Sequence, residues 1–396
     1  MSRGAAPPGT RHPSPWLMLV AAMVAQVTAT AVVSTPLLLI PHLHLDEGLS
    51  LVASGALAAA PLVGTLLTLV AWGAIVDRVG ERIALSSGLA LLVAGCAVAL
   101  AGARADDAIV LALGFGLCGV AAGSSNSASG RLVVGWFPAH RRGLAMGIRQ
   151  TGLPLGVGLA ALVVPAAVQT RGVAWIVTLC LVVAAVATVF VAVTVVDPPR
   201  HASEDPSGGA NPYRGDRRLA RIHAASALLV IPQYVVWTFM LLWLIDRHGW
   251  SPAAAGGLYA ASQVLGAAGR IAAGWWSDRI GDRLGPMRQV AVAATAVMLL
   301  LALLDGSPVA VAVMVAATMI TVADNGLAFT AVAEIAGSRW SGRAFGIQNT
   351  GQYLTSAAVP PVMGAIVQYA GYGWAFAAAA VFPLAAIACV PVATHR

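Results

Sequence analysis

The stretch WGAIVDRVGER at 72–82 returns as AGWWSDRIGDR at 273–283, roughly 200 residues later. Gly73, Asp77, Arg78, Gly80 and Arg82 fall on Gly274, Asp278, Arg279, Gly281 and Arg283. A second pair, GLAMGIRQTG at 143–152 and GRAFGIQNTG at 342–351, keeps nearly the same shift. The same shift carries Asn126 onto Asn325 and Trp175 onto Trp374. Agreement of several uncommon residues under one displacement makes the chain a parallel repeat of two like halves.

What surrounds these stretches decides where the halves live. Of 396 residues, 59% are hydrophobic and 10% are Asp, Glu, Lys or Arg. A soluble domain carries about 25% charged residues, so a string of soluble domains is excluded. Twelve segments, each near the roughly 20 apolar residues a spanning helix needs, run over 16–40, 49–76, 83–103, 108–135, 143–169, 173–195, 221–245, 251–276, 287–305, 308–335, 342–369 and 373–394. They are apolar all round, without the alternation of an outer-membrane barrel. The Pro-, Gly- and charge-rich stretch 197–220 reads as a linker. The expectation is an all-α membrane protein of 12 transmembrane helices, with pseudo-symmetric six-helix bundles at 1–196 and 221–396 around a central cavity.

All 23 basic residues are Arg. With the N-terminus in the cytoplasm, 19 of them lie on or near that side, the bias expected of a bacterial plasma-membrane protein with both termini inside. That bias accounts for the net charge of +7 without a nucleic-acid partner. The four cysteines lie in apolar segments without CxxC spacing, so no metal or cofactor is expected. No nucleotide-binding loop and no catalytic set occurs at usable spacing, which excludes ATP-driven transport and argues against an enzyme.

The twice-repeated G-x-x-x-D-R-x-G-x-R loop resembles the signature of the major facilitator superfamily, and the resemblance covers essentially the whole chain. It implies two bundles that rock about a central site and expose it to each side in turn. It also implies that Gly73, Asp77, Arg78, Gly80, Arg82 and their mates Gly274, Asp278, Arg279, Gly281, Arg283 latch the bundles on the cytoplasmic side. Physically, each Asp can face the positive N-terminus of another helix together with an Arg, and Arg131 is the expected partner of Asp77. Gly147, Gly152, Pro154, Gly156 and Gly158 are similar to a fifth-span motif of the superfamily's exporters, but the proline stands one place late.

Polar residues inside the spans are the candidates for function, because an ionisable group in a bilayer faces a cavity or a partner by default. Arg270 lies about 12 Å inside its span, and Tyr259, Gln263 and Arg270 share a helical face. Its place four residues before Gly274 resembles that of the carboxylate-binding Arg in the monocarboxylate and oxalate:formate transporter families. The Lys of the latter family's eleventh span corresponds to Gln352 here. Arg149, about 10 Å inside its span, has the neutral Gln348 as its repeat mate. Asn349, Gln352 and Tyr353 form a further stripe, joined by Gln26, Asn126, Gln233, Tyr234, Trp237 and Asn325 as substrate-binding candidates. Of two acids within spans, Asp324 is the proton-site candidate; Glu334 lies near a basic membrane end.

Two functions compete. The first is a monomeric secondary transporter of a small organic anion, a monocarboxylate or its like, moved by alternating access with or without protons. The alternative is a proton-driven exporter of drugs and other hydrophobic compounds, with Asp324 as coupling acid. A non-transporting membrane sensor is a third class.

Overall fold

The structure, a computed structural model, describes residues 13–198 and 211–391. Positions 199–210 of the expected linker, and Arg3, Arg11, Arg200 and Arg396, lie outside the described residues. The described chain forms thirteen helices: α1 (Pro15–Leu45), α2 (Leu51–Val79), α3 (Glu81–Arg104), α4 (Ala108–Trp136), α5 (Ala139–Gln150), α6 (Gly152–Thr194), α7 (Arg218–Asp246), α8 (Pro252–Ile280), α9 (Leu284–Leu304), α10 (Val309–Ile320), α11 (Asp324–Ala336), α12 (Ser341–Ala370) and α13 (Tyr372–Cys389). The all-α membrane architecture is the expected one. The number of spans is not reproduced by length and hydropathy alone, which select nine stretches among the described residues.

The difference has two physical sources. One stretch, Ala139–Thr194, is 56 residues long. It holds two expected spans, turned into each other at Gly172, whose φ of 73° only glycine adopts without strain. Conversely, α8 and α12, 29 and 30 residues long, fall short in hydropathy because they carry Gln, Asn, Tyr and Arg. Two expected spans are also broken. At Thr151 the side-chain hydroxyl donates to the Ile148 carbonyl at 2.7 Å, competing with the helical ladder. Between α10 and α11, N–H groups of Ala323 and Asn325 bond three residues back, a local tightening of the helix.

Three hydrophobic cores are present. One lies wholly in the first half and includes Phe115, Leu85 and Leu89. Another lies wholly in the second half and is built on Trp243, Met298 and Phe376. The third joins the halves: Leu19, Val133, Phe137 and Met146 pack with Ile222, Leu327, Phe329 and Phe345. Its members sit where α1, α7 and α12 begin and where α4 and α11 end, so the halves meet on the face that carries the α2–α3 and α8–α9 loops. Toward the opposite face each core stays within its own half.

Two glycine contacts make the meeting possible. A Cβ on Gly73 would strike the Gly342 carbonyl, and one on Gly274 would strike the Gly143 carbonyl, so α2 crosses α12 and α8 crosses α5 with backbones touching. Each contact carries a carboxylate. Asp77 accepts from the N–H groups of Gly342 and Arg343 at 2.9 and 3.0 Å and from Arg131 at 3.0 Å. Asp278 accepts from the N–H groups of Gly143 and Leu144 at 2.9 and 2.7 Å and from Arg283 at 2.6 Å. Each Asp thus lies at the positive end of a helix from the other half.

The repeat is symmetric in these backbone contacts but not in its arginines. Arg283 turns inward, to Asp278 and, at 3.4 Å, to Glu334. Its mate Arg82 turns away and donates to the Ala192 carbonyl near the end of α6. In the first half Arg131 takes the inward place, bridging Asp77 and, at 2.7 Å, Glu81. Arg78 and Arg279 are exposed, while Gly80 and Gly281, at φ of 96° and 68°, turn the chain between helices.

If these carboxylates hold the halves together, Asp77→Asn loosens the shared core by about 1–3 kcal/mol. In a cysteine-free background, a cysteine placed at the fully buried Phe345 is expected to react with a thiol reagent several-fold faster once Asp77 is changed to Asn. An unchanged labelling rate would show that the contact does not hold the face shut.

Candidate functional site

Above the shared core the halves enclose a small cavity of about 60 Å³, lined from α1, α4, α5, α6, α7, α8, α11 and α12. The polar lining is organised as two matching pairs. On α1, Gln26 donates to Asn126 of α4 at 3.4 Å and to Thr30 at 3.2 Å. In the second half, Asn325 of α11 donates to Gln233 of α7 at 2.9 Å, and Gln352 of α12 donates to Asn325 at 3.2 Å and to Ser226 at 2.7 Å. Buried amides in a bilayer need partners, and here they find them within their own half. Asn349, also in the lining, donates to the Phe345 carbonyl one turn back, at 2.9 Å.

The two arginines stand on either side of the boundary. Arg149, from α5, is 2% exposed and Arg270, from α8, is 4% exposed. Arg149 reaches four acceptors: Ser129 Oγ at 2.9 Å, the Asn126 carbonyl at 2.8 Å, Gln26 Oε1 at 3.3 Å and Gln150 Oε1. Arg270 has one, the Gln150 carbonyl at 3.2 Å, across the boundary. Gln150 therefore touches both guanidinium groups. They come this close because α5 and α8 cross at Gly147, where a Cβ would press on the Arg270 carbonyl. Each guanidinium also lies over a ring, Arg149 at 5.8 Å from Phe329 and Arg270 at 5.7 Å from Trp237. Among the described residues, no carboxylate lies within 4.0 Å of either.

Asp324 opens α11, fully buried, directly before Asn325. It is not in the cavity wall, and neither of its oxygens has a hydrogen-bond partner. The charge that acts on it is Arg270, without the contact distance of an ion pair. Glu334 instead lies by Arg283 and Arg142, 3.4 and 4.0 Å away, at the closed face.

Of the residues expected from the sequence, the cavity gathers Gln26, Asn126, Arg149, Gln233, Tyr234, Trp237, Arg270, Asn325, Asn349, Gln352 and Tyr353. Tyr259 and Gln263 are outside it. They do share a face with Arg270, but Gln263 lies about 10 Å further along α8, beyond the reach of so short a cavity. Tyr259 packs against the core of the second half. Four further residues complete the wall: Gln150, Leu153, Val230 and Phe329. Leu153 and Phe329 stand four residues after Arg149 and Asn325, so helical spacing places them on those faces. A search for polar groups passes over them. Gln150 gave no such signal, because one residue after Arg149 an unbroken helix points elsewhere.

Residues 17–360 match the family model described as Major Facilitator Superfamily. An uncharacterized MFS-type transporter of Mycobacterium tuberculosis (strain ATCC 25618 / H37Rv) is 46% identical over 381 residues, spanning 95% of this chain and 85% of the relative. Among solved structures, the E. coli fucose:proton symporter superposes with a TM-score of 0.74 at 14% identity, covering 94% of this chain and 98% of that one. The human organic anion transporter MFSD10 superposes with a TM-score of 0.74 at 16% identity, covering 96% of this chain and all of the other (100%). Likeness at such low identity speaks for the fold, and the sequence match speaks for the family. The chain belongs to the Major Facilitator Superfamily and is a multi-pass membrane transporter.

Proposed function

We propose that the protein carries a small organic anion, in the first instance a monocarboxylate, across a bacterial plasma membrane by alternating access. One observation supports this above the rest: two buried arginines, one from each half, line the cavity with no carboxylate in contact among the described residues. An Arg at the centre of a spanning helix costs about 2.5–3.5 kcal/mol. Hydrogen bonds and aromatic faces offset part of that cost here, and an anionic ligand offsets the rest. A cationic drug would meet both guanidiniums before it met Asp324, which stands behind Arg270, so the charge order disfavours the exporter reading.

In this mechanism the face closed by Asp77 and Asp278 is cytoplasmic, as the arginine bias implies, and the cavity takes its anion from the opposite side. The anion reduces the mutual repulsion of Arg149 and Arg270, which lets α5 and α8 stay packed while the far ends of the bundles approach. The carboxylate–helix contacts then part and the site opens inward. Asp324 serves as the proton site. When the substrate engages Arg270, the positive field that Asp324 feels is partly cancelled, so a proton binds more readily and travels with the anion. The protein acts as a monomer in the lipid bilayer.

Proteoliposome uptake of labelled monocarboxylates tests the reading. Arg270→Gln is expected to lower kcat/KM at least tenfold, the loss of one charge-assisted contact being about 1.5–3 kcal/mol. Uptake unaffected by that substitution would remove the main support. For Asp324, the Asn variant is expected to retain anion exchange between two loaded compartments but to lose accumulation driven by an inward proton gradient. If gradient-driven accumulation persists in Asp324→Asn, the proton site lies elsewhere.

A further inference from the structure

The two cavity arginines are not equivalent. Arginine has five N–H donors. Arg149 places all three of its nitrogens on protein oxygens, four acceptors in total. Arg270 makes a single such bond, and its Nε has no protein acceptor at all. The indole Nε1 of Trp237 is likewise buried and without a protein acceptor, and Arg270 lies over that ring at 5.7 Å. A buried indole N–H nearly always has a partner, because leaving it bare costs about 1–3 kcal/mol. Both unsatisfied groups can only donate, both belong to residues of the cavity wall, and both come from the second half.

Resting on the anion reading above, we propose that the substrate's carboxylate is held jointly by Arg270 and the indole N–H of Trp237. Arg149 supplies positive potential without ligating. The wall beside this pair also defines the rest of the substrate. Tyr234 packs at 5.4 Å from Trp237, and Val230 and Phe329 continue the surface, so the carboxylate's body rests on rings and aliphatic groups. The amides of Gln26, Asn126, Gln233, Asn325, Asn349 and Gln352 already have protein partners. The substrate class this fits is a small aromatic monocarboxylate. A two-point donor set also specifies orientation: a carboxylate offers one oxygen to the guanidinium and one to the indole, whereas an amide would have to turn its NH₂ toward one of two donors.

Binding of benzoate, acetate and benzamide to the purified full-length protein tests this by calorimetry, alongside NMR of protein labelled with ¹⁵N in its eleven indoles. Benzoate is expected to bind at least tenfold more tightly than acetate, and benzamide not to bind. Benzoate should move one indole N–H signal downfield, and that signal should be missing in Trp237→Phe. The phenylalanine keeps a ring beneath Arg270 but removes the donor together with part of the ring's bulk, so a thermal melt checks that the fold is kept while the Kd for benzoate is expected to rise about tenfold. Equal benzoate affinity in Trp237→Phe, with no indole signal responding, would overturn the assignment of Trp237 and leave Arg270 as the anion ligand. Equal affinity for acetate and benzoate would overturn the aromatic class. If none of these carboxylates binds, or binds equally to Arg270→Gln, the anion reading itself falls, and this inference with it.

Discussion

Everything in this molecule hangs on two carboxylates, each seated on the N-terminus of a helix that belongs to the other half. Asp77 on α12 and Asp278 on α5 satisfy backbone N–H groups that a helix start leaves without partners. They can reach them only because Gly73 and Gly274 let the backbones touch. The contact is charge against dipole at a nearly dry interface, with Arg131 and, at 3.8 Å, Arg343 on Asp77 and Arg283 on Asp278. Its consequence is geometric. The halves are fastened along one face, the shared core forms there, and the gap between them survives as a cavity deeper in the membrane.

That cavity is where the cost of charge in lipid is concentrated. Arg149 is embedded in the first half by its own bonds, so its charge is a fixed feature of the wall. Arg270 is loosely held and leans on Trp237 and on a carbonyl of the opposite half. Asp324 sits just behind it, bare of hydrogen bonds. With both arginines charged and Asp324 ionised, the site carries a net positive charge in a low-dielectric setting. On the proposed anion reading, the three are a fixed field, an adjustable ligand and a responsive acid. Here they are distributed over α5, α8 and α11, so a change at one is felt across the boundary between halves.

Much of the architecture was legible because membranes impose a simple code. The apolar runs, the two copies of the loop and the shift between Asn126 and Asn325 are local or periodic facts, and the fold follows from them. The polar wall was legible for a similar reason: in lipid a Gln or Arg must face something. Three things were not. The length of the cavity along α8 excludes Gln263, and no helical face records that. Leu153 and Phe329 share helical faces with Arg149 and Asn325, but nothing apolar marks itself as cavity wall until the helices around it are placed. Arg131 was expected beside Asp77, but the repeat gives no hint that Arg82 turns away to Ala192 while its mate Arg283 faces Asp278.

The break at Thr151 links the cavity to the boundary between the halves. In an unbroken helix the Gln150 carbonyl would accept from the N–H four residues on, but that residue is Pro154, which has none. The carbonyl is therefore released, and Arg270 donates to it from the other half at 3.2 Å. Had the proline stood at 153, the position implied by the exporter motif, the orphaned carbonyl would belong to Arg149, whose side chain is committed to the first half. The one-place displacement thus moves a free acceptor from a residue that faces its own bundle to one in the cavity wall. It holds Arg270 across the boundary by a single hydrogen bond. A carboxylate is a better acceptor, since it meets the guanidinium with an opposite charge and can take two parallel bonds. On the proposed reading, substrate binding and release of the inter-half tether are the same exchange of hydrogen bonds, made possible by a proline that leaves the end of α5 with one acceptor to spare.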